Sequence, residues 1–337
     1  MNSKKIHYTY PKVAACFWWL AILVAIFFVK NTSAQIANDY PKRPIRIIVS
    51  FAPGGGTDII ARSLAIKLSE ILKQSVFIEN KVGASGNIGT QYVASASPDG
   101  YTYLFTSSAY VVNYSFQKNS VGYDPIKDFS PVVIAASQPI AIVVNDKFPV
   151  KNIQELKNLS AKGQLSYSSA GAGTPPQVTC DGLLNGVWKG DAVHIPYKGA
   201  APALTALIGG EIPIFCGTVG GVGQYVKQGL VRVLAITSEK RLASMPDVPT
   251  LSELGYPQLK NDVWQGMFAS IKTPKFMVDK INAAMNQALK SEEIQEKFKS
   301  LDLVIVGGTP SQTSEYVQSD LKRWDLISKS GANLKTE

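Results

Sequence analysis

The chain has 337 residues, 45% of them hydrophobic, and its 34 basic and 25 acidic residues give a formal net charge of +9. The basic excess is scattered and forms no arginine-rich stripe with interleaved aromatic residues, which argues against a nucleic-acid partner. Only two histidines and three cysteines are present, which argues against a Cys/His zinc cluster.

The N-terminal segment has the composition of a secretory signal peptide. Three lysines within the first 12 residues precede an unbroken apolar run over residues 13–29, and a small-residue sequence ends at Ala34. This order predicts a signal peptide over residues 1–34, cleavage after Ala34 and a periplasmic protein; retention as an uncleaved anchor is the alternative. Removal of the segment takes away four lysines and no acidic residue, which lowers the net charge from +9 to +5.

Strands and helices are predicted to alternate over the first two thirds of the chain. Residues 45–51 are almost continuously apolar, as in a strand covered on both faces, and residues with helical spacing follow. The predicted strands are 45–51, 76–79, 102–106, 141–144, 164–168, 192–195, 212–215 and 231–236, and the predicted helices are 57–73, 152–160, 175–188, 200–208 and 220–228. The alternation predicts parallel βαβ units throughout.

The last third has more helix. The pattern predicts a strand over 262–270, helices over 273–289 and 292–300, a strand over 303–306 and a closing helix to about residue 330. The chain thus shows a first α/β series, then a second α/β series, and then a return to helix. This order predicts two discontinuous lobes, with the chain crossing between them near residues 137–140 and 237–240. We therefore place lobe I over 41–138 and 238–337, and lobe II over 139–237.

Three loops bring glycines and small hydroxyl residues together where a predicted strand runs into a predicted helix. They cover residues 51–58, 168–175 and 197–202. A helix N-terminus binds anions readily because its first backbone N–H groups are free and its dipole is positive there. Glycine lets those N–H groups approach a ligand. The loops predict a small anion held between two lobes; a plain strand-to-helix turn is the competing interpretation.

Enzyme motifs are incomplete in these loops. Ile59 and Pro176 stand where a G-x-G-x-x-G fingerprint needs its third glycine, and the chain has no G-x-x-x-x-G-K-[ST] loop, so we expect no nucleotide or other cofactor. Residues 83–87 miss the G-x-S-x-G elbow by one position. We expect no catalysis; an exported α/β hydrolase using His194 is the enzyme alternative.

Two cysteines, Cys180 and Cys216, remain after removal of the signal peptide. They could pair in an oxidising compartment, but two cysteines do not define a disulfide framework. A bond also needs Cα atoms within about 7 Å of each other. The sequence leaves the pairing open.

A series of short motifs follows in order along the mature chain. They are FAPGGGTD at 51–58 with Ala61-Arg62, ENK at 79–81, GASGNIG at 83–89, PDGYT at 98–102, PYKG at 196–199, PAL at 202–204, RVLAITS at 232–238 and MPDVPT at 245–250. Together they resemble the substrate receptors of tripartite tricarboxylate transporters, the Bug family, over essentially the whole mature chain.

The resemblance implies an α/β protein with the type II periplasmic binding-protein fold, in which two lobes close on a ligand cleft. It implies an extracytoplasmic receptor for a small organic carboxylate, such as a di- or tricarboxylate, an amino acid or an aromatic acid. Such a receptor delivers its ligand to the membrane permease subunits of the transporter. We expect a monomer without metal or cofactor; a co-receptor that presents the ligand to a membrane sensor is the alternative.

The resemblance also implies the ligand-binding residues, which hold the carboxylate largely through backbone amides and ordered water. From the first lobe they are Ala52, Gly54, Gly55, Gly56, Thr57, Asp58, Ser107 and Ser108, and from the second lobe Ser169, Gly171, Gly173, Thr174 and Tyr197. This chain has Pro175-Pro176-Gln177 where relatives commonly show a Ser-His pair, and Cys216 where they usually carry an acidic or amide residue. We expect residues 215–219 to lie close to the distal group of the ligand, and the ligand preference to differ at these positions.

Some of these residues also have a structural interpretation. Asp58 is expected to cap its helix or to pair with Arg62 at i,i+4. Tyr197 is expected to pack in the core with its hydroxyl reaching the cleft. For Trp264, we expect buried packing within a lobe and not a stacking platform for a ligand.

Overall fold

The structure is a computed structural model and describes residues 39–163 and 165–329. The predicted signal peptide over residues 1–34 lies outside the described residues. All features below belong to the compact unit that begins at Arg43. Within the described ranges, no helix has both the length and the apolar content needed to cross a membrane.

Strands and helices alternate along the described residues. The strands are β1 (Ile45–Val49), β2 (Val76–Asn80), β3 (Thr102–Ser107), β4 (Phe129–Asn145), β5 (Ser166–Ser169), β6 (Val193–Pro196), β7 (Ile214–Thr218), β8 (Val231–Ile236), β9 (Asp262–Ser270) and β10 (Val304–Gly307). The helices are α1 (Gly56–Leu72), α2 (Asn87–Ala94), α3 (Ala109–Gln117), α4 (Ile153–Ser160), α5 (Pro175–Asp181), α6 (Ala200–Gly209), α7 (Val219–Lys227), α8 (Lys275–Leu289), α9 (Glu292–Ser300) and α10 (Pro310–Lys329). Most predicted elements are confirmed; α2, α3 and the first part of β4 were not predicted.

The first sheet carries one lobe. Its strand order is β2-β1-β3-β9-β4, and β10 pairs with the first part of β4. Strand β1 is parallel to β2 and β3, whereas β9 is antiparallel to both β3 and β4. Because β1 lies inside the sheet, four of its five residues are fully buried, as the continuous apolar run predicts.

The second sheet carries the other lobe. Its order is β4-β7-β5-β6, and β8 pairs with β4 on the opposite side from β7. Strand β5 is parallel to β6 and β7, whereas β4 is antiparallel to β7 and β8. The parallel strands bring the carboxyl ends of β5 and β6, and the loops that follow them, to one edge of the sheet.

Strand β4 belongs to both sheets. Its residues 129–139 pair with β9, and its residues 140–145 pair with β7 and β8. The prediction of parallel βαβ units throughout is therefore wrong at the centre of the molecule. A strand that passes directly from one sheet to the next needs no helical crossover, and the alternation of elements along the sequence does not reveal its direction.

Each lobe has its own buried core. In the first, Trp264 and Phe268 of β9 pack on Tyr110 of α3, with ring centroids 6.4 and 4.8 Å from that of Tyr110. The Trp264 indole N–H also donates a hydrogen bond of 2.7 Å to Asp320. The expectation that Trp264 is lobe packing is confirmed. In the second lobe, Tyr167 is among the residues that fill the core behind β5 and β7.

The lobe boundaries at 138/139 and 237/238 stay a prediction. The described residues show that β4 changes sheets between Pro139 and Ile140. Beyond the second predicted boundary, Leu251 and Tyr256 pack with the core of the second sheet. The chain returns to the first sheet at Asp262, which pairs with Pro139.

Cys180 of α5 and Cys216 of β7 form a disulfide bond, with their Cα atoms 6.4 Å apart. Both side chains are fully buried in the core of the second lobe. The sequence left this pairing open. The bond forms because the fold packs α5 against β7. The bond ties the end of α5 to the strand that ends at Thr218.

Replacement of both cysteines by alanine should lower the free energy of unfolding by about 2–4 kcal/mol, because the bond restrains a long loop of the unfolded chain. The measurement is chemical denaturation of the wild type and the double variant, each with and without reductant. Reductant should shift the midpoint of the wild type alone. The bond would be contradicted if reductant did not change the midpoint of the wild type, and if two free thiols were titrated in the wild type unfolded without reductant.

Candidate functional site

The three glycine-rich loops each join the carboxyl end of a strand to the start of a helix, as the sequence predicts. Loop A (residues 50–55) joins β1 to α1, loop B (residues 170–174) joins β5 to α5, and loop C (residues 197–199) joins β6 to α6. Loop A belongs to the first lobe, and loops B and C to the second. The fold thus places predicted anion-binding loops on both lobes.

Loops A and C meet across the cleft between the lobes. A Cβ atom built on Gly199 would lie 2.9 Å from the Ala52 Cβ, and one built on Gly55 would lie 3.8 Å from the Ala200 Cβ. Gly199 also has a positive φ of 132°, which glycine adopts at low cost. Here glycine is required by close backbone approach, so these two loops hold the lobes in contact.

Loop B contacts the first lobe at a different place. A Cβ on Gly171 would lie 2.6 Å from the Ser85 Oγ, and one on Gly173 would collide with the Asn113 Oδ1. Both glycines have positive φ, 147° and 74°. The lobes are therefore closed on each other at loop B as well, and the contact leaves no room for a side chain.

A small cavity of about 40 Å³ lies between the lobes, which are closed on each other. Strands and helix starts from both lobes contribute to its wall. The lining residues are Phe51, Gly55, Gly56, Thr57, Ser107, Ala170, Thr174, Pro175, Pro176, Ala200, Gly217, Thr218, Val263 and Gln265. None of these side chains carries a charge.

The cavity brings together part of the predicted site. Five predicted residues line it, namely Gly55, Gly56, Thr57, Ser107 and Thr174. The other eight lie outside its wall, namely Ala52, Gly54, Asp58, Ser108, Ser169, Gly171, Gly173 and Tyr197. Several of them have structural partners instead: Gly54 and Asp58 bond to each other, and Tyr197 packs against the core behind loop C.

Sequence reasoning missed the wall residues on β9, whereas it expected residues 215–219, at the end of β7, to lie near the ligand. Gly217 and Thr218 end β7, and Val263 and Gln265 alternate with the buried Trp264 on β9. The period of two along residues 262–270 was a usable signal, because it puts Val263 and Gln265 on the face opposite Trp264. Which face borders the cleft depends on the antiparallel pairing of β9 with β3, which the sequence did not reveal.

The start of α1 offers hydrogen-bond donors to the cavity. Within residues 39–163 and 165–329, no group accepts a hydrogen bond from the backbone N–H of Gly56, Thr57 or Asp58. These are the first N–H groups of a 17-residue helix, so they lack intrahelical acceptors and lie at the positive end of its dipole. Gly56 and Thr57 line the cavity, which makes this helix start suited to an anion.

Loop B differs from loop A in its donors. Pro175 and Pro176 open α5 and have no N–H, and the Gly173 N–H donates to the Gln177 Oε1. The Thr174 hydroxyl donates to the Gly171 carbonyl oxygen at 2.7 Å. The start of α5 therefore presents apolar proline rings to the cavity, and the polar groups of loop B stabilise the loop itself.

Asp58 forms a buried network behind loop A. Its carboxylate, 2% exposed, accepts hydrogen bonds from the Gly54 N–H at 2.9 Å, Arg62 at 2.8 Å and Asn80 at 2.8 Å. Burial alone raises the pKa of Asp58, but the hydrogen bonds from Arg62, Asn80 and Gly54 outweigh it and hold that pKa below its ordinary value. The expected pairing with Arg62 is confirmed, and the negative charge is directed away from the cavity.

Ser169 and His194 form a hydrogen bond of 2.7 Å between Oγ and Nε2, the pair that the hydrolase alternative needs. Ser169 is completely buried and does not line the cavity. Burial lowers the pKa of His194 to about 4, so the imidazole is neutral at pH 7. In the described part of the chain, no carboxylate bonds to His194. The pair therefore serves to fix loop B and lacks both the access and the acidic partner of a catalytic triad.

Cys216 does not face the cavity. The sequence placed the region around it near the distal end of a ligand, but its side chain is fully buried in the disulfide bond with Cys180. Its neighbours along β7, Gly217 and Thr218, line the cavity instead.

Substitution Asp58→Asn should lower the free energy of unfolding by about 1–3 kcal/mol at pH 7, because it weakens charge-assisted hydrogen bonds in a buried network. The folded-state pKa lies below the ordinary value of 3.8, so this stabilisation is present above pH 3.8 and is lost as the pH falls through the folded-state pKa. Urea denaturation from pH 7 to pH 3 should show the difference between variant and wild type shrinking towards acid pH.

Asp279→Asn is the matched control for this charge. Asp279 pairs with Lys275 at i,i+4 on the surface, with side chains 45% and 86% exposed. The control should change the free energy of unfolding by less than about 0.5 kcal/mol. Equal losses in both variants, or a loss for Asp58→Asn that does not vary with pH, would contradict the network.

Known proteins resemble this chain over most of its length. The sequence pattern of the family described as tripartite tricarboxylate transporter family receptor matches residues 60–332. Protein BugT of Bordetella pertussis (strain Tohama I) is 32% identical over 323 residues, which are 94% of this chain and 98% of BugT.

Two solved structures extend the resemblance to the fold. The periplasmic binding protein BugD is 34% identical with a TM-score of 0.84, covering 88% of this chain and 99% of that one. MatC (Rpa3494) from Rhodopseudomonas palustris with bound malate is 30% identical with a TM-score of 0.81, covering 86% of this chain and 100% of that one. The predicted two-lobed binding-protein fold is confirmed. On this evidence the chain belongs to the receptor family of the tripartite tricarboxylate transporters, whose members bind solutes and are not enzymes.

Proposed function

We propose that this protein is a periplasmic receptor that binds a small organic carboxylate between its two lobes and delivers it to a tripartite tricarboxylate-type permease. One observation carries the proposal: an uncharged cavity between the lobes is bordered by unpaired N–H groups at the start of α1. The bound malate in the related MatC structure supports the same class of ligand.

The carboxylate is held by neutral donors. In the proposed complex its oxygens accept hydrogen bonds from the Gly56 and Thr57 N–H groups, while the hydroxyls of Thr57 and Thr218 border the same cavity. Such bonds to a charged acceptor are stronger than neutral ones, and a water-poor cleft strengthens them further. Thr218 belongs to the other lobe, so the ligand favours the closed arrangement over an open one.

The predicted site residues then have two roles. Gly55, Gly56, Thr57, Ser107 and Thr174 line the cavity and are proposed to contact the ligand or its bound water. The remaining eight shape the loops: Asp58 holds the Gly54 N–H, and Ala52, Gly171 and Gly173 form contacts between the lobes.

Export and delivery complete the proposal. The N-terminal sequence supports a signal peptide cleaved after Ala34, which the intact mass of the exported protein tests. Delivery to permease subunits is supported by membership of the family, and we propose that the receptor acts as a monomer.

Isothermal titration calorimetry of the mature protein should detect binding of at least one carboxylate from a panel of C4–C6 di- and tricarboxylates, amino acids and aromatic acids. The amide analogue of the bound acid should bind at least tenfold more weakly, because it lacks the charge that the α1 dipole favours. A panel without any binding, or equal binding of acid and amide, would contradict the proposal.

Substitution Gly56→Val should weaken binding of that carboxylate at least tenfold without lowering stability. A Cβ at Gly56 would lie 3.0 Å from the Thr218 Oγ1 and 3.5 Å from the Gln138 Nε2, so a larger side chain occupies the cavity and obstructs closure. Gly56 lies in α1 without a positive φ, so the backbone tolerates the change.

Gly223→Val is the matched control. Gly223 is also helical, in α7, and a Cβ there meets no atom within 4 Å. Calorimetry and thermal denaturation of both variants should show normal affinity for Gly223→Val and similar unfolding temperatures. Unchanged affinity in Gly56→Val would place the ligand elsewhere.

A further inference from the structure

The side chain of Gln265 lies in the wall of the cavity without a hydrogen-bond partner. The residue is 1% exposed, its Oε1 is completely buried, and no described residue bonds to either end of its amide. A buried polar atom without a partner costs about 1–3 kcal/mol, and folded proteins contain few of them. The stability of the folded protein therefore does not explain the presence of a glutamine at position 265, which suggests a role in binding.

The pairing of the strands directs Gln265 into the cleft. On β9, Val263 and Gln265 line the cavity, whereas Trp264 between them lies in the core of the first lobe. Ser107, at the end of β3, stands directly opposite Gln265 in the antiparallel ladder and also lines the cavity. Side chains paired in this way project from the same face with Cβ atoms about 4.5–5.5 Å apart.

The two polar parts of the cavity require different hydrogen-bonding groups from a ligand. The start of α1 presents only N–H donors, which a carboxylate satisfies. The amide oxygen of Gln265 is an acceptor, and a carboxylate offers it nothing. With the amide in this orientation, a ligand that satisfies both carries a hydrogen-bond donor in addition to its carboxylate; a hydroxyl group, which both donates and accepts, pairs with the amide in either orientation.

The lack of charge in the cavity wall determines whether the donor group of the ligand is an ammonium or a hydroxyl group. No acidic side chain lines it, and the nearest carboxylate on α1, that of Asp58, is occupied by Arg62, Asn80 and the Gly54 N–H. An ammonium group would be removed from water without a protein counter-charge, which is costly. A hydroxyl group donates to Gln265 without that cost.

We propose that Gln265 is a specificity-determining residue that selects hydroxy-substituted carboxylates over their unsubstituted analogues. The inference rests on the proposed function, since it concerns the same cavity. A site with a buried polar group rejects an analogue that leaves this group unpaired much more strongly than an apolar site rejects a missing methylene. The selection therefore comes from the penalty on the wrong ligand as much as from the bond to the right one.

Calorimetry with pairs of acids that differ only in a hydroxyl group tests the proposal. The probes are malate against succinate, 2-hydroxyglutarate against glutarate, and citrate against tricarballylate, with aspartate as the amino counterpart of malate. For the pair that fits, the wild type should bind the hydroxy acid at least tenfold more tightly. Gln265→Met, which keeps the length and removes the amide, should reduce that preference to about twofold or less.

Stability separates this role from a structural one. Since the amide has no partner in the protein, Gln265→Met should leave the unfolding temperature unchanged or raise it, while the ratio of affinities collapses. Gln295→Met is the matched control, because Gln295 is exposed on α9 and does not line the cavity; it should keep both the affinity and the preference for the hydroxy acid.

The outcomes distinguish the two proposals. Binding of no acid in the pairs or in the wider panel would overturn the proposed function and this inference together. Binding only of a panel member outside the pairs would overturn the inference alone. Equal binding within every pair, for instance through a trapped water at Gln265, would overturn the inference alone. So would a preference that survives in Gln265→Met, or aspartate binding more tightly than malate.

Discussion

Strand β4 is the element on which the rest of the molecule depends, because its 17 residues belong to both sheets. Up to Pro139 it pairs with β9, and from Ile140 it pairs with β7 and β8. The lobes are thereby joined through a continuous backbone at this strand, in addition to the crossing between β8 and β9. Gln138, just before this point, accepts a hydrogen bond from the Gly220 N–H at the start of α7. The same arrangement brings the end of β7 to the start of α1, which closes the cavity.

In the proposed complex, no basic side chain contacts the anion. A lysine or arginine in the cavity would have to be desolvated, whereas helix N–H groups are already fixed in direction and carry a partial positive charge. Asp58 makes this possible by holding loop A in place through the Gly54 N–H while its own charge is compensated by Arg62. In this proposal, affinity for a carboxylate and selectivity among carboxylates come from different elements: the start of α1 supplies the first, and the walls formed by β7, β9 and loop B supply the second.

Local patterns were sufficient where a segment's own residues decide its structure. The apolar run of β1, the strands β8 and β9, and the proline-led starts of α5 and α10 were predicted within a few residues. Helix α3 was missed because its sequence, rich in β-branched and aromatic residues, favours strand, and burial against Trp264 and Phe268 overrides that preference. The disulfide bond was left open because it depends on how α5 packs on β7.

The sequence by itself determined the alternation of strands and helices, the loops at the helix starts and the family resemblance carried by their glycines. Those features are local, since a strand-to-helix turn with free N–H groups is encoded within about eight residues. Only the tertiary structure decided that β4 runs antiparallel through both sheets, that Gly217, Thr218 and Gln265 face the cleft, and that Cys216 does not. Strand direction and register are set by contacts between residues far apart in the chain, and a shift of one residue would exchange Gln265 for Trp264 at the wall.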